Sequence, residues 1–282
     1  MKLKALTAAV LATALLSACG SSAASSAAPA ADTSSETAAS ADNSGDLLAQ
    51  IQQRGEIVFG TEGTWSPWTY HDENDQLVGF DIEVAQKVAE KLGVKATFVE
   101  GEWDGLLAGL DAGRYDIMVN GVGITPEREE KYSFSTPYAY NRTAVIVRGD
   151  YDEIQSMEDL NGKQTANTIS STYAQLAEQY GADVTGVDDL NQTFELLNSG
   201  RIDATLNAEV TFYDYTKEHP DANVKIAVLT QDANEVAIPL RKGDETATLR
   251  EAINTAIDEL RASGQLKDLS EKYFGTDISS ND

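Results

Sequence analysis

The segment from Gly121 to Arg128 combines two glycines, a proline and an arginine just beyond a predicted strand. Gly121 and Gly123 permit a ligand to approach the backbone closely, and Pro126 at the start of a helix leaves free amides behind it. The guanidinium of Arg128 has the fork geometry that holds a carboxylate in two parallel hydrogen bonds. We therefore predict a carboxylate-binding site here, although an ion pair between Arg128 and an acidic neighbour explains the same residues.

A second candidate for the same carboxylate lies in the hydroxyl-rich segment 168–173. Ser171 and Thr172 stand at the predicted start of a helix, where hydroxyls and free backbone amides attract anions. Ordinary N-capping is equally good chemistry for these two side chains. Because both roles can hold at once, Ser171 and Thr172 are predicted ligand-binding residues.

The aromatic candidates for a ligand site are the chain's three tryptophans. Trp65 follows the first predicted strand and Trp103 begins a helix, and loops beyond strand ends are where ligands bind. We predict that these two wall the ligand's side chain, while Trp68 belongs to the core. A core role for Trp103 also stays open, because its helix needs a buried face. Glu62, in the same loop as Trp65, suits a cationic or polar ligand group.

The composition excludes several other kinds of chemistry. The chain has one cysteine, Cys19, and two histidines, His71 and His219, both in polar turns. A Ser-His mechanism or a metal site of Cys and His therefore lacks its side chains, and we expect no catalytic residue, no metal and no cofactor. A formal net charge of −25 repels phosphate backbones, so nucleic acid is not an expected partner.

The candidate residues are positioned by a sequence unit that occurs twice. Each copy runs through a helix, a glycine, a short strand, a second helix and a Gly-Arg-x-Asp turn into a strand that ends in asparagine. The copies are 88 residues apart at Ala89 and Ala177 and 87 apart at Asn120 and Asn207, which indicates one repeated supersecondary unit. Ligands bind beyond the carboxyl ends of parallel strands. We predict that Asn120 and Asn207 face one cleft from opposite sides.

Helices that alternate with strands predict an α/β chain folded as a two-lobed clamshell. The first lobe is predicted to comprise residues 46–140 together with 234–282, and the second lobe residues 141–233. Two interleaved lobes need two crossings, which we place near 138–142 and 229–234. Adjacent crossings act as a hinge about which one lobe closes on the other.

The N-terminal residues predict export and anchoring. Lys2 and Lys4 precede an apolar run of about twelve residues, too short for the roughly 20 that span a bilayer. Residues 1–18 are therefore predicted to be a signal peptide rather than a buried helix. The sequence 16–19, Leu-Ser-Ala-Cys, resembles the lipobox of bacterial lipoproteins, which implies lipidation of Cys19 by acyl chains such as palmitate. Residues 19–45 then form the lipidated cysteine and a flexible linker rich in Ser and Ala.

Several motifs in order along residues 46–282 resemble the extracytoplasmic solute-binding proteins of polar amino acid ABC importers, of the family 3 type and particularly its cystine branch. They are GTEGTWSPW at 60–68, VGFDIEVA at 78–85, EWDGL at 102–106, GITPER at 123–128, FSTPY at 134–138 and KYFG at 272–275. The resemblance implies a periplasmic-binding-protein-like (Venus flytrap) fold with a ligand cleft between its lobes.

The same resemblance implies roles for individual residues. Arg128 and the amide of Gly123 bind the ligand's α-carboxylate, joined by Ser171 and Thr172. The carbonyl of Gly121 accepts from the α-ammonium, and the two candidate tryptophans flank the side chain.

One position departs from the pattern of that family. An acidic residue usually follows the second repeat's strand and pairs with the ammonium, and this chain has Ala208 there. Either Glu209 reaches the ligand through a local distortion or Asn207 contributes, although a one-residue step normally turns a side chain the other way. Both are therefore candidate site residues.

The predicted function is capture of an extracellular polar amino acid, such as cystine, and its delivery to the permease and ATPase of an ABC importer. The expected protein is a monomer, held at the outside of a bacterial cell membrane by its lipid alone. Two alternatives stay open: a ligand-sensing clamshell lipoprotein, or a dehydratase on the same fold that uses Glu62 or Glu209 as acid or base.

Overall fold

Two separate β-sheets form the framework of the chain in the computed structural model, which describes residues 45–281. The predicted signal peptide, Cys19 and the rest of the predicted linker before Gly45 lie outside the described residues. Within the described part of the chain, no helix is long and apolar enough to cross a membrane.

Residues 45–281 contain fifteen strands, nine α-helices and two short 3₁₀ helices. The strands are β1 Glu56–Thr61, β2 Thr64–Trp65, β3 Thr69–His71, β4 Leu77–Val78, β5 Lys95–Glu100, β6 Ile117–Met118, β7 Tyr132–Phe134, β8 Ala139–Asn141, β9 Thr143–Arg148, β10 Gln164–Asn167, β11 Asp183–Gly186, β12 Ala204–Ala208, β13 Val224–Leu229, β14 Asn234–Val236 and β15 Pro239–Arg241. The α-helices are α1 Leu47–Arg54, α2 Phe80–Leu92, α3 Trp103–Asp111, α4 Pro126–Lys131, α5 Thr172–Gln179, α6 Leu190–Asn198, α7 Glu209–Glu218, α8 Ala247–Ala262 and α9 Gln265–Phe274. The 3₁₀ helices span Met157–Leu160 and Asp244–Thr246.

The first sheet has the order β5-β1-β6, and its strands are parallel. Helix α2 lies against it and against α8, and each helix buries a stripe of apolar residues at helical spacing. Helix α2 ends at Gly93, whose φ of 74° is the left-handed conformation that glycine adopts most easily. We call the lobe that contains this sheet the first lobe.

Asp81 lies at the start of α2 but does not cap this helix. The N-cap is Gly79, and Asp81 lies inside the first turn with a side chain that is fully buried. Its carboxylate accepts hydrogen bonds from the backbone N–H of Gly121 and from the hydroxyl of Tyr138. Burial raises the pKa of Asp81 to about 7, although these two hydrogen bonds lower it. Asp81 therefore holds the turn after β6 in place.

The second sheet has the order β11-β10-β12-β9-β13. Strands β11, β10 and β12 are parallel, as the second copy of the repeat predicts. Strand β9 pairs antiparallel with β12, and β13 pairs antiparallel with β9 at the sheet edge, so β13 runs in the same direction as the three parallel strands. We call the lobe that contains this sheet the second lobe.

The chain passes between the two sheets twice, at the segments predicted as crossings. Strand β8 leads directly into β9, and β14 follows the turn after β13. The two crossing strands pair antiparallel, with Asn141 opposite Asn234 and Ala139 opposite Val236. The residue boundaries of the lobes, 46–140 with 234–282 and 141–233, stay a prediction.

The core of the first lobe contains Trp68, which is 1% exposed. Its ring lies edge-on to the ring of Phe80, with 5.8 Å between the ring centroids, and its centroid is 4.9 Å from that of the Phe274 ring. The core role predicted for Trp68 is therefore confirmed. The stacked ring of Trp65, 5.3 Å away, continues this aromatic cluster towards the second lobe.

Candidate functional site

A cavity of about 60 Å³ lies where the carboxyl ends of the parallel strands of both sheets converge. Nine of the eleven predicted ligand-binding residues line it, and Gly123 and Glu209 do not. The lining residues are Glu62, Trp65, Trp103, Asn120, Gly121, Arg128, Asn167, Thr168, Ser171, Thr172, Tyr173, Asp189, Leu190, Thr193 and Asn207. The doubled unit thus supplies both walls of a single site.

Arg128 lies in the short helix α4 and is 6% exposed. Thr125 caps this helix by accepting a hydrogen bond from the backbone N–H of Arg128 at 3.2 Å. The guanidinium donates from Nη1 to the carbonyl of Gly123 at 3.0 Å and from Nη2 to the carbonyl of Ser170 at 3.2 Å. Its Cζ lies 5.3 Å from the centre of the Trp103 ring. Helix capping and these contacts fix the orientation of the Arg128 guanidinium.

The positive charge of Arg128 has no carboxylate partner among the ion pairs of residues 45–281. The predicted alternative, an ion pair with an acidic neighbour on α4, is therefore not formed; Glu127 pairs with Lys131 instead. Burial lowers the pKa of Arg128, because desolvation disfavours the charged form. A buried charge without a counterion is unfavourable, so the guanidinium is suited to bind an anion from the cavity.

The start of helix α5 forms the opposite wall. Ser171 is the N-cap residue, and its Oγ accepts from the backbone N–H of Ala174 at 3.1 Å. Thr172 is the first helical residue and also lines the cavity. N-capping by Ser171 therefore coexists with exposure of the helix N-terminus to the cavity, where partial positive charge favours an anion.

Glu62 and Asn120 form a linked pair at the ends of β1 and β6. Asn120 donates from Nδ2 to Oε2 of Glu62 at 2.6 Å and accepts from the backbone N–H of Glu62 at 2.8 Å. Burial raises the pKa of Glu62 to about 7, and the negative charges of Asp189 and Asp104 add to the rise. The hydrogen bond from Asn120 acts in the opposite direction.

Trp65 joins the two walls. Its Nε1 donates to Oδ1 of Asn207 at 3.3 Å, which connects β2 with β12. Gly121 lies directly against the ring, and a Cβ at this position would come within 2.5 Å of it. The φ of Gly121 is 54°, so glycine is required here for its conformation as well as for space.

Glu209 is not brought to this cavity. Its carboxylate forms two hydrogen bonds with Arg142, at 2.9 and 3.0 Å, and accepts a third from the hydroxyl of Tyr213. These residues line a different cavity, beside the crossing strand β8. Ala208 is fully buried at the end of β12. Asn207 lines the ligand cavity, but its Oδ1 already accepts from Trp65 and from the backbone N–H of Ala208 at 2.8 Å.

The structure adds six lining residues to those predicted. They are Asn167, Thr168, Tyr173, Asp189, Leu190 and Thr193. The repeat contains a signal for one of them, because Leu190 stands 87 residues after Trp103, the separation of the two terminal asparagines. The start of α6 therefore occupies in the second lobe the place that the start of α3 occupies in the first.

Two sheets joined by two crossings, with one cavity at their facing strand ends, define a two-lobed solute-binding protein. The chain belongs to the bacterial extracellular solute-binding proteins, family 3, whose description matches residues 57–276. The resemblance and the two-lobed α/β fold inferred from sequence are thereby confirmed.

Two relatives show which branch of the family is similar. The chain is 40% identical over 243 residues to the L-cystine-binding protein TcyA of Bacillus subtilis, across 85% of this chain and 90% of that protein. It is 37% identical over 237 residues to the L-cystine-binding protein TcyJ of Escherichia coli, across 82% of this chain and 87% of that protein.

Solved structures with and without a bound ligand show the same architecture. An ancestral arginine-binding protein bound to arginine is 38% identical, with a TM-score of 0.74 over 79% of this chain and 99% of that one. The L-cystine solute receptor of Neisseria gonorrhoeae in its unliganded open conformation is 40% identical, covers 84% and 100% of the two chains, and has a TM-score of 0.56. At nearly equal identity, the structure is more similar to the ligand-bound relative than to the open one.

Proposed function

We propose that this protein captures a free polar amino acid between its lobes and delivers it to the permease of an ABC importer. The protein acts as a carrier, and the importer's own ATPase supplies the energy. The names of the relatives, which bind cystine or arginine, support an amino acid as the ligand.

Arg128 is the observation that carries the proposal. It presents a buried guanidinium to the cavity, beside the N-terminus of α5 and without a carboxylate partner within residues 45–281. An α-carboxylate supplies the missing charge and matches the fork. Every amino acid has an α-carboxylate, so Arg128 binds amino acids as a class. The other residues that line the cavity select among them.

Contacts across the cleft support closure around the ligand. Besides the bonds from Arg128 and Trp65, Ser66 donates to Oδ2 of Asp214 at 2.7 Å. Asp104 accepts from the backbone N–H and the hydroxyl of Ser170. Closing the lobes therefore forms several hydrogen bonds at once, with the paired strands β8 and β14 as the hinge.

The walls that face the ligand's side chain favour a polar or cationic group of moderate size. Glu62 and Asp189 supply acid, and Trp65 and Trp103 supply flat apolar surface. Besides the α-ammonium, cystine carries a second ammonium and arginine a guanidinium, and either group can pair with an acidic side chain. Cystine is the first ligand to test.

The N-terminal residues add the location to this proposal. A signal peptide ending at residue 18 and acyl chains on Cys19 would tether a monomeric protein outside the membrane, with residues 20–45 as a spacer. Metabolic labelling with palmitate tests this, since label is expected in the wild type and absent from Cys19→Ala. Label in the variant would contradict the anchor.

Isothermal titration with the twenty amino acids and L-cystine, on the purified chain and on Arg128→Ala, tests the main proposal. We expect at least one amino acid to bind the wild type and Arg128→Ala to weaken it by about 2 to 5 kcal/mol. The unliganded melting temperature should stay within a few degrees, because the variant removes a charge that is uncompensated without ligand. Glu127→Ala, on the same helix but exposed, is the matched control.

Carrier and enzyme give different results with the same samples. A carrier returns its bound amino acid unchanged after long incubation, as checked by mass spectrometry of the released ligand. Conversion of the ligand would overturn the carrier assignment in favour of the dehydratase alternative. Retained binding by Arg128→Ala would overturn the role of Arg128.

A further inference from the structure

A free amino acid has two charged ends, and the cavity's partner for the ammonium is not at position 208. Ala208 is fully buried and offers no polar side chain. The next residue, Glu209, is engaged by Arg142 at the other cavity. An ammonium taken into the cavity leaves water, so some other anion must compensate its charge.

Asn207 is poorly placed for this role. Its Oδ1 already accepts two hydrogen bonds, from Trp65 and from the backbone of Ala208. An amide oxygen has two lone pairs, so little acceptor capacity is left for an ammonium. Moreover, the amide carries no charge.

Two carboxylates line the cavity in the described chain, those of Glu62 and Asp189. Oε2 of Glu62 is occupied by a short hydrogen bond from Asn120. With its pKa raised to about 7, Glu62 carries its full negative charge only above neutral pH. Glu62 is therefore an incomplete counterion, better suited to a polar group on the ligand's side chain.

Asp189 has the geometry of a fixed anion. It is the N-cap of α6, where its Oδ1 accepts from the backbone N–H of Gln192 at 3.0 Å. Its second oxygen accepts no hydrogen bond from residues 45–281, which leaves the carboxylate able to accept from a donor in the cavity. No ion pair of residues 45–281 involves Asp189. Capping holds the side chain in one place, so accepting an ammonium requires little further ordering.

We propose that Asp189 binds the ligand's α-ammonium and replaces the acid that is absent at position 208. Within the described residues, the cavity then presents a cation without a carboxylate partner, Arg128, and a carboxylate that keeps one oxygen free, Asp189, from opposite lobes. This pair is the electrostatic complement of a zwitterion, and it draws the lobes together only when both ends are present. The inference rests on the proposed function, because it takes an amino acid as the ligand.

Asp189→Asn tests the charge without removing the cap. Asparagine caps helices about as well as aspartate, so the start of α6 should be retained. The probes are L-arginine, L-glutamine and L-cystine. Isothermal titration against the full chain measures the Kd of each. For whichever of them binds the wild type, we expect Asp189→Asn to raise the Kd at least about thirtyfold. Asp188→Asn, the exposed neighbour that does not line the cavity, should change the Kd by less than about threefold.

The α-deamino analogues separate ammonium recognition from general damage to the cavity. They are 5-guanidinopentanoate for arginine, glutaric acid monoamide for glutamine and 3,3′-dithiodipropionate for cystine. Each should bind the wild type more weakly than its amino acid, and Asp189→Asn should weaken it by no more than about threefold. Equal losses for an amino acid and its deamino analogue would overturn the inference, as would an unchanged Kd for the amino acid.

Failure of this inference is distinguishable from failure of the proposed function. If Arg128→Ala abolishes amino acid binding and Asp189→Asn does not alter it, the carrier stands and Asp189 has no such role. If the wild type binds no amino acid, the proposed function fails and this inference fails with it.

Discussion

Ser170 and Arg128 meet across the cleft, with Nη2 of Arg128 3.2 Å from the carbonyl oxygen of Ser170. The same serine donates its backbone N–H and its hydroxyl to Asp104, at 3.1 and 2.6 Å. One residue of the second lobe is thus held by a cation and an anion of the first lobe. Ser170 therefore both orients the guanidinium of Arg128 and holds the two lobes together.

Asp104→Ala should therefore weaken ligand binding although Asp104 does not line the cavity. Hydrogen bonds to a charged group contribute about 1.5 to 3 kcal/mol each when buried, but this pair is exposed, so we expect a total near 1 kcal/mol, or a Kd raised about fivefold. Titration calorimetry measures the Kd, and small-angle scattering of the unliganded protein should show a larger radius of gyration. The exposed neighbour Glu102→Ala is the control, and equal effects of the two variants would contradict this role for Asp104.

Gly121→Ala should impair binding more than stability alone explains. The added Cβ would lie within 2.5 Å of the Trp65 ring, at a residue whose φ is 54°. Gly113→Ala is the matched control, because its φ is 67° and a Cβ there meets no atom within 4 Å. Both variants should lose about 1 kcal/mol of unfolding free energy through backbone strain. Only Gly121→Ala should also raise the Kd, by about tenfold or more, and equal Kd values in the two variants would count against the contact with Trp65.

Glu62 should make the stability of the unliganded protein fall as the pH rises. Its pKa rises from 4.5 to about 7 on burial, so between these values the folded state binds more protons than the unfolded state. The free energy of unfolding therefore decreases with pH in this window and is lowest above it. Glu62→Gln lacks this dependence and should gain up to about 3 kcal/mol over the wild type between about pH 4.5 and pH 8.

Urea denaturation of the wild type and Glu62→Gln across that pH range measures the difference directly. Asp81, whose pKa is also raised to about 7, contributes equally to both proteins and cancels in the comparison. If the free energies of unfolding of the two proteins differ by the same amount at every pH in this range, Glu62 does not titrate in this way.

Glu209→Gln should leave ligand affinity within about threefold of the wild type, because its carboxylate is directed to Arg142 rather than to the ligand. The ion pair is partly exposed, at 45% for Arg142 and 15% for Glu209, so its loss should lower the unfolding free energy by about 1 kcal/mol at most. Calorimetric titration and thermal denaturation check the two effects. A large loss of affinity with unchanged stability would instead place Glu209 at the ligand.

The repeat made the fold predictable, because both copies carry the same order of helices and strands and end in asparagines that the structure places at one cavity. Arg128 was also accessible to sequence reasoning, since it belongs to the segment from Gly121 to Arg128 that follows a predicted strand. The position of the Glu209 side chain could not be predicted from the sequence. Its partner Arg142 lies 67 residues away, and only tertiary packing brings the two together.

Asp189 shows a different limit of sequence reasoning. An aspartate directly before a helix is explained by N-capping alone, and the structure confirms that it is an N-cap. Only the tertiary structure shows that the same carboxylate also lines the cavity with Arg128. The separation of 87 residues between Trp103 and Leu190 pointed to this turn, but not to the charge beside it.

A crystal structure of the protein with its bound amino acid, identified from the panel of twenty amino acids and L-cystine, would show directly whether Arg128 binds the ligand's α-carboxylate. We expect the α-carboxylate to lie within about 3.2 Å of a terminal nitrogen of Arg128, between α4 and the start of α5. A ligand bound in this cavity with its carboxylate turned away from Arg128, or bound elsewhere on the chain, would contradict it.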